Sequence, residues 1–259
     1  MERAKKGLLA DVVRPFDAFF VFVGEVALLL VDAIKRMISS RLEVKETLSQ
    51  MAFVGVNSIP IVVLTGFFSG AVLSLYISTF LLKYGATTFV GATVALSMTR
   101  EIGPVLAGIM VSARCGSAMA AQIGTMAVTE QIDALKMLSV HPTNYLVVPR
   151  VLASVLMMPI LGLACVWAGS FGGWLVAVKE GVPSGAYLNS VSQYTQVSDI
   201  LGGLYKTPVF GLIVALVACQ QGMRTKNGAV GVGKATTNTV VISMVLVYVT
   251  NFILARLMS

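Results

Sequence analysis

The stretch SMTREIGPVLAG, residues 97–108, places two charged side chains within a long apolar run. Arg100 and Glu101 interrupt the run, and Gly103 with Pro104 then favours a break in any regular helix. A charged side chain at the centre of a bilayer costs about 2.5–3.5 kcal/mol on insertion scales, and such side chains almost always face a cavity or another helix. The stretch therefore predicts the polar, irregular middle of a membrane-spanning helix.

The composition indicates an integral membrane protein. Of the 259 residues, 56% are hydrophobic and only 12% are charged, whereas soluble domains carry about 25% charged residues. Because a spanning helix needs about 20 apolar residues, the chain has room for a handful of spans and for no soluble catalytic domain. We therefore predict an all-α membrane protein.

Five apolar runs are predicted to span the membrane, and polar segments separate them. Residues 179–199 are predicted to form a loop with a short helix, and residues 222–238, GMRTKNGAVGVGKATTN, to form a loop. In span one, Gly66 and Gly70 make a GxxxG step, which lets another helix approach closely. The predicted spans are residues 51–82, 89–113, 151–178, 200–221 and 239–257.

Residues 8–36 predict a helix that differs from a clean span. At 100° per residue its charged side chains fall within an arc of roughly 120°, and apolar side chains cover the rest. This pattern is typical of an interfacial helix lying along the membrane surface; a poor first span is the alternative. We expect one domain, 1–259, with an N-terminal interfacial helix region at 1–46 and a transmembrane bundle at 47–259. The charged side chains are Asp11, Arg14, Asp17, Glu25, Asp32, Lys35 and Arg36.

Positive charge is distributed unevenly between the two sides of the predicted bundle. Fourteen Lys and Arg residues fall on the side of the N-terminus and four on the other side. The positive-inside rule then predicts a cytoplasmic N-terminus and, with five spans, a C-terminus outside. The net charge of +7 does not indicate nucleic-acid binding, because the bases lie in short loops where lipid headgroups meet them.

Neither an enzyme site nor a metal site is indicated. His141 is the single histidine and stands in a predicted loop, so a histidine metal cluster is excluded. Residues 228–237, GAVGVGKATT, come close to a phosphate-binding P-loop. However, Ala235 stands where Ser or Thr would hold Mg²⁺, and a P-loop follows a buried strand. We expect a Gly-rich turn there and no bound nucleotide.

The segment between spans two and three carries a small-residue ridge and then a short helix. The helix is TEQIDALKML, residues 129–138, and it has an apolar side and a charged remainder. Such a helix on the cytoplasmic face either packs against the bundle or docks into a partner, and the spacing leaves both open. The ridge consists of Ser112, Gly116, Ala120 and Gly124, a spacing that favours close helix packing. The apolar side consists of Ile132, Leu135 and Leu138, and the charged positions are Glu130, Asp133 and Lys136.

Several runs of the sequence carry a family resemblance. They are TREIGPVLAGIMVSARCGSAMAAQIGTMAVTEQIDALKMLSVHP (99–142), LVVPRVLA (146–153), KTPVFG (206–211), CQQG (219–222) and GAVGVGKATTNTVV (228–241). The chain resembles the MlaE (YrbE-type) permease family over residues 50–255. These proteins are transmembrane subunits of ABC transporters that move phospholipids or related lipids between membranes of double-membraned bacteria and plastids.

The resemblance implies a function and a set of partners. The chain would be an inner-membrane permease that forms a homodimer and transports membrane phospholipid. It would work with an ABC ATPase subunit, with a periplasmic MCE-domain protein, and with a small STAS-type cytoplasmic subunit reached through the ATPase. ATP would be bound and hydrolysed by the ATPase, so this chain is expected to be no enzyme and to hold no cofactor. The short helix would be the coupling helix that docks on the ATPase through Glu130, Gln131, Asp133 and Leu135.

A substrate cavity is expected between the spans of the two copies. Acyl chains would lie against Leu73 and Leu75 with Tyr76 nearby, and Arg100 and Glu101 would face the headgroup. The alternative for the two charges is an architectural network between helices that includes Lys206. A rival function is a self-sufficient secondary transporter or channel with Glu101 as its proton or ion site.

Four positions depart from the pattern of the resembled family. Gln122 stands where Glu is usual, His141 where Asp is usual before proline, Tyr76 where Gln is usual, and Asn251 where Asp is usual. Three of these changes remove a negative or amide group near the expected lipid path or dimer centre, so we expect them to affect lipid preference.

Overall fold

The computed structural model describes residues 2–39 and 43–258, and their side chains from residue 20 onward except that of residue 39. The described part is built from helices joined by short turns, and it contains no strand. The helices are α1 Glu2–Ser39, α2 Val44–Val54, α3 Ile59–Lys83, α4 Val90–Ser97, α5 Gly103–Val111, α6 Ser117–Val128, α7 Gln131–Met137, α8 Val148–Lys179, α9 Ser184–Tyr194, α10 Val197–Met223 and α11 Gly228–Met258. Single π-helical turns join α4 to α5 (Met98–Ile102) and α5 to α6 (Ser112–Gly116), and another precedes α8 (Thr143–Val147).

Five helical stretches of the described chain are long and apolar enough to cross a membrane, which confirms the predicted number of spans. They are Val44–Lys83, Thr87–Val128, Thr143–Lys179, Val197–Met223 and Gly228–Met258. All five are longer than the predicted spans, because helix continues into flanking segments that carry polar side chains.

The loop predicted at residues 222–238 is wrong for most of its length. Helix α11 begins at Gly228, so the P-loop-like run is helical. Ala235 and Thr239 are buried in this helix, and a Cβ added to Gly116 would lie 3.5 Å from the Thr239 side chain. Packing against span two therefore stabilises a helix that its glycines disfavour.

Spans one and three pack closely through the predicted GxxxG step. A Cβ added to Gly70 would lie 2.0 Å from the carbonyl oxygen of Gly169, and one added to Gly66 would lie 2.8 Å from that of Cys165. One turn further along, the Ser74 hydroxyl donates to the Gly173 carbonyl at 2.7 Å. Small residues at every fourth position of α3 thus bring the α8 backbone into contact, as the sequence predicted.

The predicted small-residue ridge is buried in the same way along span two. A Cβ on Gly116 would meet Val214 of α10 at 3.2 Å, and one on Gly124 would meet Thr225 at 2.9 Å. Ser112 and Ala120 are fully buried. Spans four and five therefore pack against one face of span two.

Span one is interrupted between α2 and α3, and an arginine from span two stabilises the interruption. The carbonyls in the last turn of a helix have no partner within the helix. Arg114 Nη1 donates to the Phe53 carbonyl at 3.1 Å and to the Ser58 hydroxyl at 2.9 Å. The guanidinium also lies over the Phe53 ring, 5.5 Å from its centroid. The π-helical turn at Ser112–Gly116 carries this arginine.

The helix predicted over residues 8–36 is confirmed as part of α1, which lies against the bundle. Ala33 is buried in a cluster with residues of α6, α8 and α10, while Leu28 and Val31 are exposed. Glu25 Oε2 accepts from Gln220 Nε2 at 2.7 Å and forms an ion pair with Arg224 Nη1 at 3.2 Å. The side chains of Asp11, Arg14 and Asp17 in the predicted polar arc lie outside the described residues.

The predicted short helix between spans three and four is α9. It touches the start of span two so closely that a Cβ on Gly91 would lie 2.3 Å from the Tyr187 carbonyl oxygen. The Ser190 hydroxyl accepts from the Ala92 N–H at 2.9 Å, one of the N–H groups that a helix start leaves without an intrahelical partner. Burial raises the pKa of Tyr187 to about 12, so this hydroxyl stays protonated.

Candidate functional site

The opening stretch forms a π-helical turn followed by helix, rather than a complete break. The turn covers Met98–Ile102, and Pro104 stands in the first turn of α5. Proline has no N–H, so it cannot donate to the carbonyl of Arg100 four residues earlier. Lys206 Nζ from α10 donates to that carbonyl at 3.0 Å. The irregularity predicted from the sequence is thus present, and a buried lysine satisfies the carbonyl that it exposes.

Arg100 and Glu101 of span two are each paired with an opposite charge of span four. Glu101 Oε1 accepts from Lys206 Nζ at 2.7 Å. Arg100 Nε donates to Asp199 Oδ1 at 2.9 Å, and its Nη2 donates to the same oxygen. The side chains of Arg100 and Glu101 are 61% and 44% exposed, whereas those of Asp199 and Lys206 are 8% and 4% exposed. Each of the two accessible charges therefore forms an ion pair with a buried charge of opposite sign.

Two further groups hold this arrangement in place. Asn251 of α11 donates through Nδ2 to Glu101 Oε2 at 2.7 Å. Asp199 Oδ2 accepts from the Gln196 N–H at 2.8 Å in a capping box at the start of α10. The carboxylates of Glu101 and Asp199 therefore each have both oxygens hydrogen-bonded.

The four charges line a cavity of about 740 Å³, which we call the charged cavity. It lies where α10 begins and α11 ends, and the charges enter its wall from α10 and the π-helical turn of span two. A volume of this size is within the range of ligand sites. The remaining lining residues are Leu96, Ser97, Ser198, Gly202, Gly203, Ala255 and Met258.

The five residues predicted for the substrate cavity separate into two groups. Arg100 and Glu101 line the charged cavity, and they also form the interhelical network with Lys206 that the sequence suggested as an alternative. Leu73, Leu75 and Tyr76 lie on α3 and are absent from its lining. Tyr76 is 70% exposed and Leu75 is 41% exposed. Within one copy of the chain, the two groups belong to different surfaces.

Sequence reasoning missed Asp199 and the contact made by Asn251. Asp199 lay at the end of a predicted polar loop, and the only signal was that its carboxylate stands next to an apolar span. Asn251 departs from the family pattern. In the structure its side-chain amide donates a hydrogen bond to Glu101 Oε2. A carboxylate there would have to be protonated to donate that hydrogen bond.

The helix α7 has one face on the bundle and one face exposed. Ile132 is buried and Leu135 packs beside it against the cluster formed by α1, α6, α8 and α10. Leu138 lies beyond the end of the helix and is 73% exposed, so it does not share the predicted apolar side. The exposed face carries Glu130, Gln131 and Asp133, and Asp133 pairs with Lys136 at 2.7 Å.

Glu130 begins α7 in a left-handed backbone conformation, with φ of 59°. Non-glycine residues rarely adopt this conformation, and when they do they often mark functional or strained positions. The structure therefore separates the predicted ATPase contacts: three lie on an exposed turn and Leu135 faces inward.

Two of the departures from the family pattern, Gln122 and His141, lie apart from the charged cavity. Gln122 Oε1 accepts from Arg150 Nη2 at 3.2 Å, and Arg150 is only 6% exposed. Arg150 Nη1 donates to the Leu146 carbonyl at 2.7 Å. His141 is exposed at the turn before span three, as predicted. Across residues 2–39 and 43–258, no group of three His, Cys, Asp or Glu side chains is placed to hold a metal ion.

Comparisons with known proteins show which family the sequence matches. A family model described as permease MlaE matches residues 47–257. A probable ABC transporter permease protein of Rickettsia typhi is 44% identical over 237 residues, which cover 91% of this chain and 92% of the relative. A probable ABC transporter permease protein of Synechocystis is 41% identical and covers 99% of this chain and 95% of the relative.

A plant relative extends the comparison. The chloroplastic protein Trigalactosyldiacylglycerol 1 of Arabidopsis thaliana is 33% identical over 225 residues, which cover 86% of this chain and 64% of the relative. Five apolar spans, the family match along most of the chain and the long alignments with bacterial relatives lead to one conclusion. The chain belongs to the MlaE permease family and is a multi-pass ABC transporter permease.

Proposed function

We propose that this permease moves phospholipid, or a related lipid, between the inner and outer membranes, driven by a separate ATPase subunit. The observation that carries the proposal is the charged cavity, where accessible charges lie beside apolar spans. A diacyl lipid needs both environments, because its headgroup is polar and its chains are apolar. The name of the Arabidopsis relative contains that of a galactolipid, which supports a lipid as the substrate.

The apolar chains of the proposed substrate explain why its transport needs an input of energy. Exposing an acyl chain to water costs about 0.8 kcal/mol per CH₂ group. A lipid with two chains therefore needs an apolar path and an external energy source to leave one membrane for another. On α3, the exposed Leu75 and Tyr76 and the half-buried Leu73 would provide apolar contacts once a second copy completes the path.

The energy would reach the bundle through α7. Its exposed turn carries Glu130, Gln131 and Asp133, which would contact the ATPase. Its inner side is anchored by Ile132 and Leu135 in the cluster that includes α10. A force applied to α7 would therefore be transmitted to span four, which also carries Lys206 and Asp199 of the charged cavity.

The remaining partners and the location belong to the same proposal. With the N-terminus in the cytoplasm, α7 faces the cytoplasm and the charged cavity lies toward the periplasm. The permease would then act as an inner-membrane homodimer with a periplasmic MCE-domain protein, and a STAS-type subunit would bind the ATPase. ATP would be bound by the ATPase and not by this chain.

The test is lipid transfer by the reconstituted complex. The permease, its ATPase and its MCE-domain partner are placed in vesicles that contain fluorescent phospholipid, and transfer to acceptor vesicles is followed with and without ATP. We expect transfer that depends on ATP and is lost when Glu130 and Asp133 are both changed to lysine. Glu180→Lys, an exposed position beyond the end of α8, is a control for reversed charge away from α7.

The same assay decides between this proposal and a secondary transporter that uses Glu101 as an ion site. If the permease alone moves a substrate down an ion gradient, without ATP and regardless of charge at α7, the ABC mechanism is refuted. If lipid transfer proceeds normally with Glu130 and Asp133 reversed, docking through this turn is refuted.

A further inference from the structure

The described lining of the charged cavity has as many positive as negative side chains. Among the described lining residues, Arg100 and Lys206 carry positive charge and Glu101 and Asp199 carry negative charge. Asn251, which touches Glu101, adds no charge to this set. The cavity is therefore neutral as a whole, although it presents charges of both signs.

The two accessible charges are adjacent and of opposite sign. Arg100 uses Nε and Nη2 for Asp199 and has further N–H groups on a side chain that is 61% exposed. A guanidinium can bind a phosphate through a pair of parallel N–H groups. Glu101 is 44% exposed, so its carboxylate can also be reached from the cavity.

We propose that the charged cavity selects zwitterionic over anionic lipid headgroups, with the phosphate at Arg100 and the ammonium at Glu101, and that Asp199 determines this selectivity. The proposal rests on the proposed function, since it names the headgroup class of the same transported lipid. Asp199 is buried against Arg100 and offsets its charge. Without that carboxylate the cavity has one net positive charge. The affinity for a lipid with a net negative charge then increases relative to the affinity for a zwitterion.

The experiment uses two substitutions that change the net charge of the cavity in opposite directions. Asp199→Asn removes the negative charge, and its amide oxygen can still accept from the Gln196 N–H in the capping box. Arg100→Gln removes a positive charge, and its amide can still donate to Asp199. Matched controls are Glu180→Gln and Lys179→Gln, which make the same charge changes at exposed positions outside the cavity lining.

The full-length chain and the four variants are reconstituted in vesicles of equal parts phosphatidylethanolamine and phosphatidylglycerol, then extracted in mild detergent. Mass spectrometry measures the ratio of the two lipids retained per chain. The wild type should retain more phosphatidylethanolamine. Asp199→Asn should lower that ratio on the order of tenfold, the effect of a unit charge about 10 Å away at an effective dielectric constant of about 20. Arg100→Gln should raise the ratio, and the controls should match the wild type.

The outcomes separate this inference from the proposed function. If the wild type retains no lipid, the proposed function fails and the inference fails with it. If lipid is retained but Asp199→Asn and Glu180→Gln give the same ratio, only the inference is overturned. A second set of vesicles keeps phosphatidylethanolamine and replaces phosphatidylglycerol with an uncharged galactolipid. Retention of that lipid in preference to phosphatidylethanolamine would overturn the assignment of phosphate and ammonium to Arg100 and Glu101.

Discussion

Replacing Glu101 by glutamine should destabilise the permease more than replacing its partner Lys206 by methionine. Lys206 is 4% exposed, so glutamine leaves a buried ammonium without a counter-charge. Removing one partner of a buried pair costs about 3–5 kcal/mol. Glu101 is 44% exposed, so after Lys206→Met its carboxylate reaches solvent in the cavity and keeps its bond from Asn251.

The contacts of the two side chains give the expected loss of unfolding free energy in each single variant. For Lys206→Met we expect a cost of about 2 kcal/mol, of which about 1 comes from the lost hydrogen bond to the Arg100 carbonyl. For Glu101→Gln we expect the full cost of an uncompensated buried charge, about 3–5 kcal/mol. The double variant has neither charge, so its cost should be close to that of Lys206→Met and well below the sum of the two.

The assay is equilibrium unfolding of the purified permease in mixed micelles. The mole fraction of SDS is increased and helix content is followed by circular dichroism, which gives the free energy of unfolding for the wild type, both single variants and the double variant. The reasoning is refuted if Lys206→Met unfolds as early as Glu101→Gln. It is also refuted if the double variant shows the sum of the two single losses, because a coupled pair is not additive.

Three other changes test the packing and the exposed turn. Gln122→Glu places a carboxylate beside the buried guanidinium of Arg150, so it should raise the free energy of unfolding by about 1 kcal/mol, measured by the same SDS titration. Gly70→Ala puts a Cβ 2.0 Å from the Gly169 carbonyl oxygen and should lower the thermal midpoint, since such overpacking costs about 1–3 kcal/mol; an unchanged midpoint would contradict close packing there. Glu130→Gly removes the Cβ that disfavours the left-handed φ of 59°, so this variant should be about 1 kcal/mol more stable than Glu130→Ala, which keeps a Cβ; both remove the carboxylate and should reduce ATP-driven lipid transfer equally.

Most charged residues of the candidate site could be predicted from the sequence, but the partner with which each forms an ion pair could not. Arg100, Glu101 and Lys206 stood out because a charge within an apolar span needs a partner or a cavity. Adjacent helical residues point about 100° apart, so the sequence favoured partners on other helices for the two neighbours. Which partner each takes depends on where α10 and α11 lie relative to the π-helical turn, and no local pattern contains that distance.

Three features follow from local patterns in the sequence: the number of spans, the irregular centre of span two and the close contact at Gly66 and Gly70. The patterns are hydropathy over a helix length, a proline without an N–H, and small residues one turn apart. The place of Asp199 in the site and the helix at residues 228–238 follow only from the folded arrangement. Both depend on contacts between segments far apart in the chain, and such contacts override local propensity when they bury enough surface.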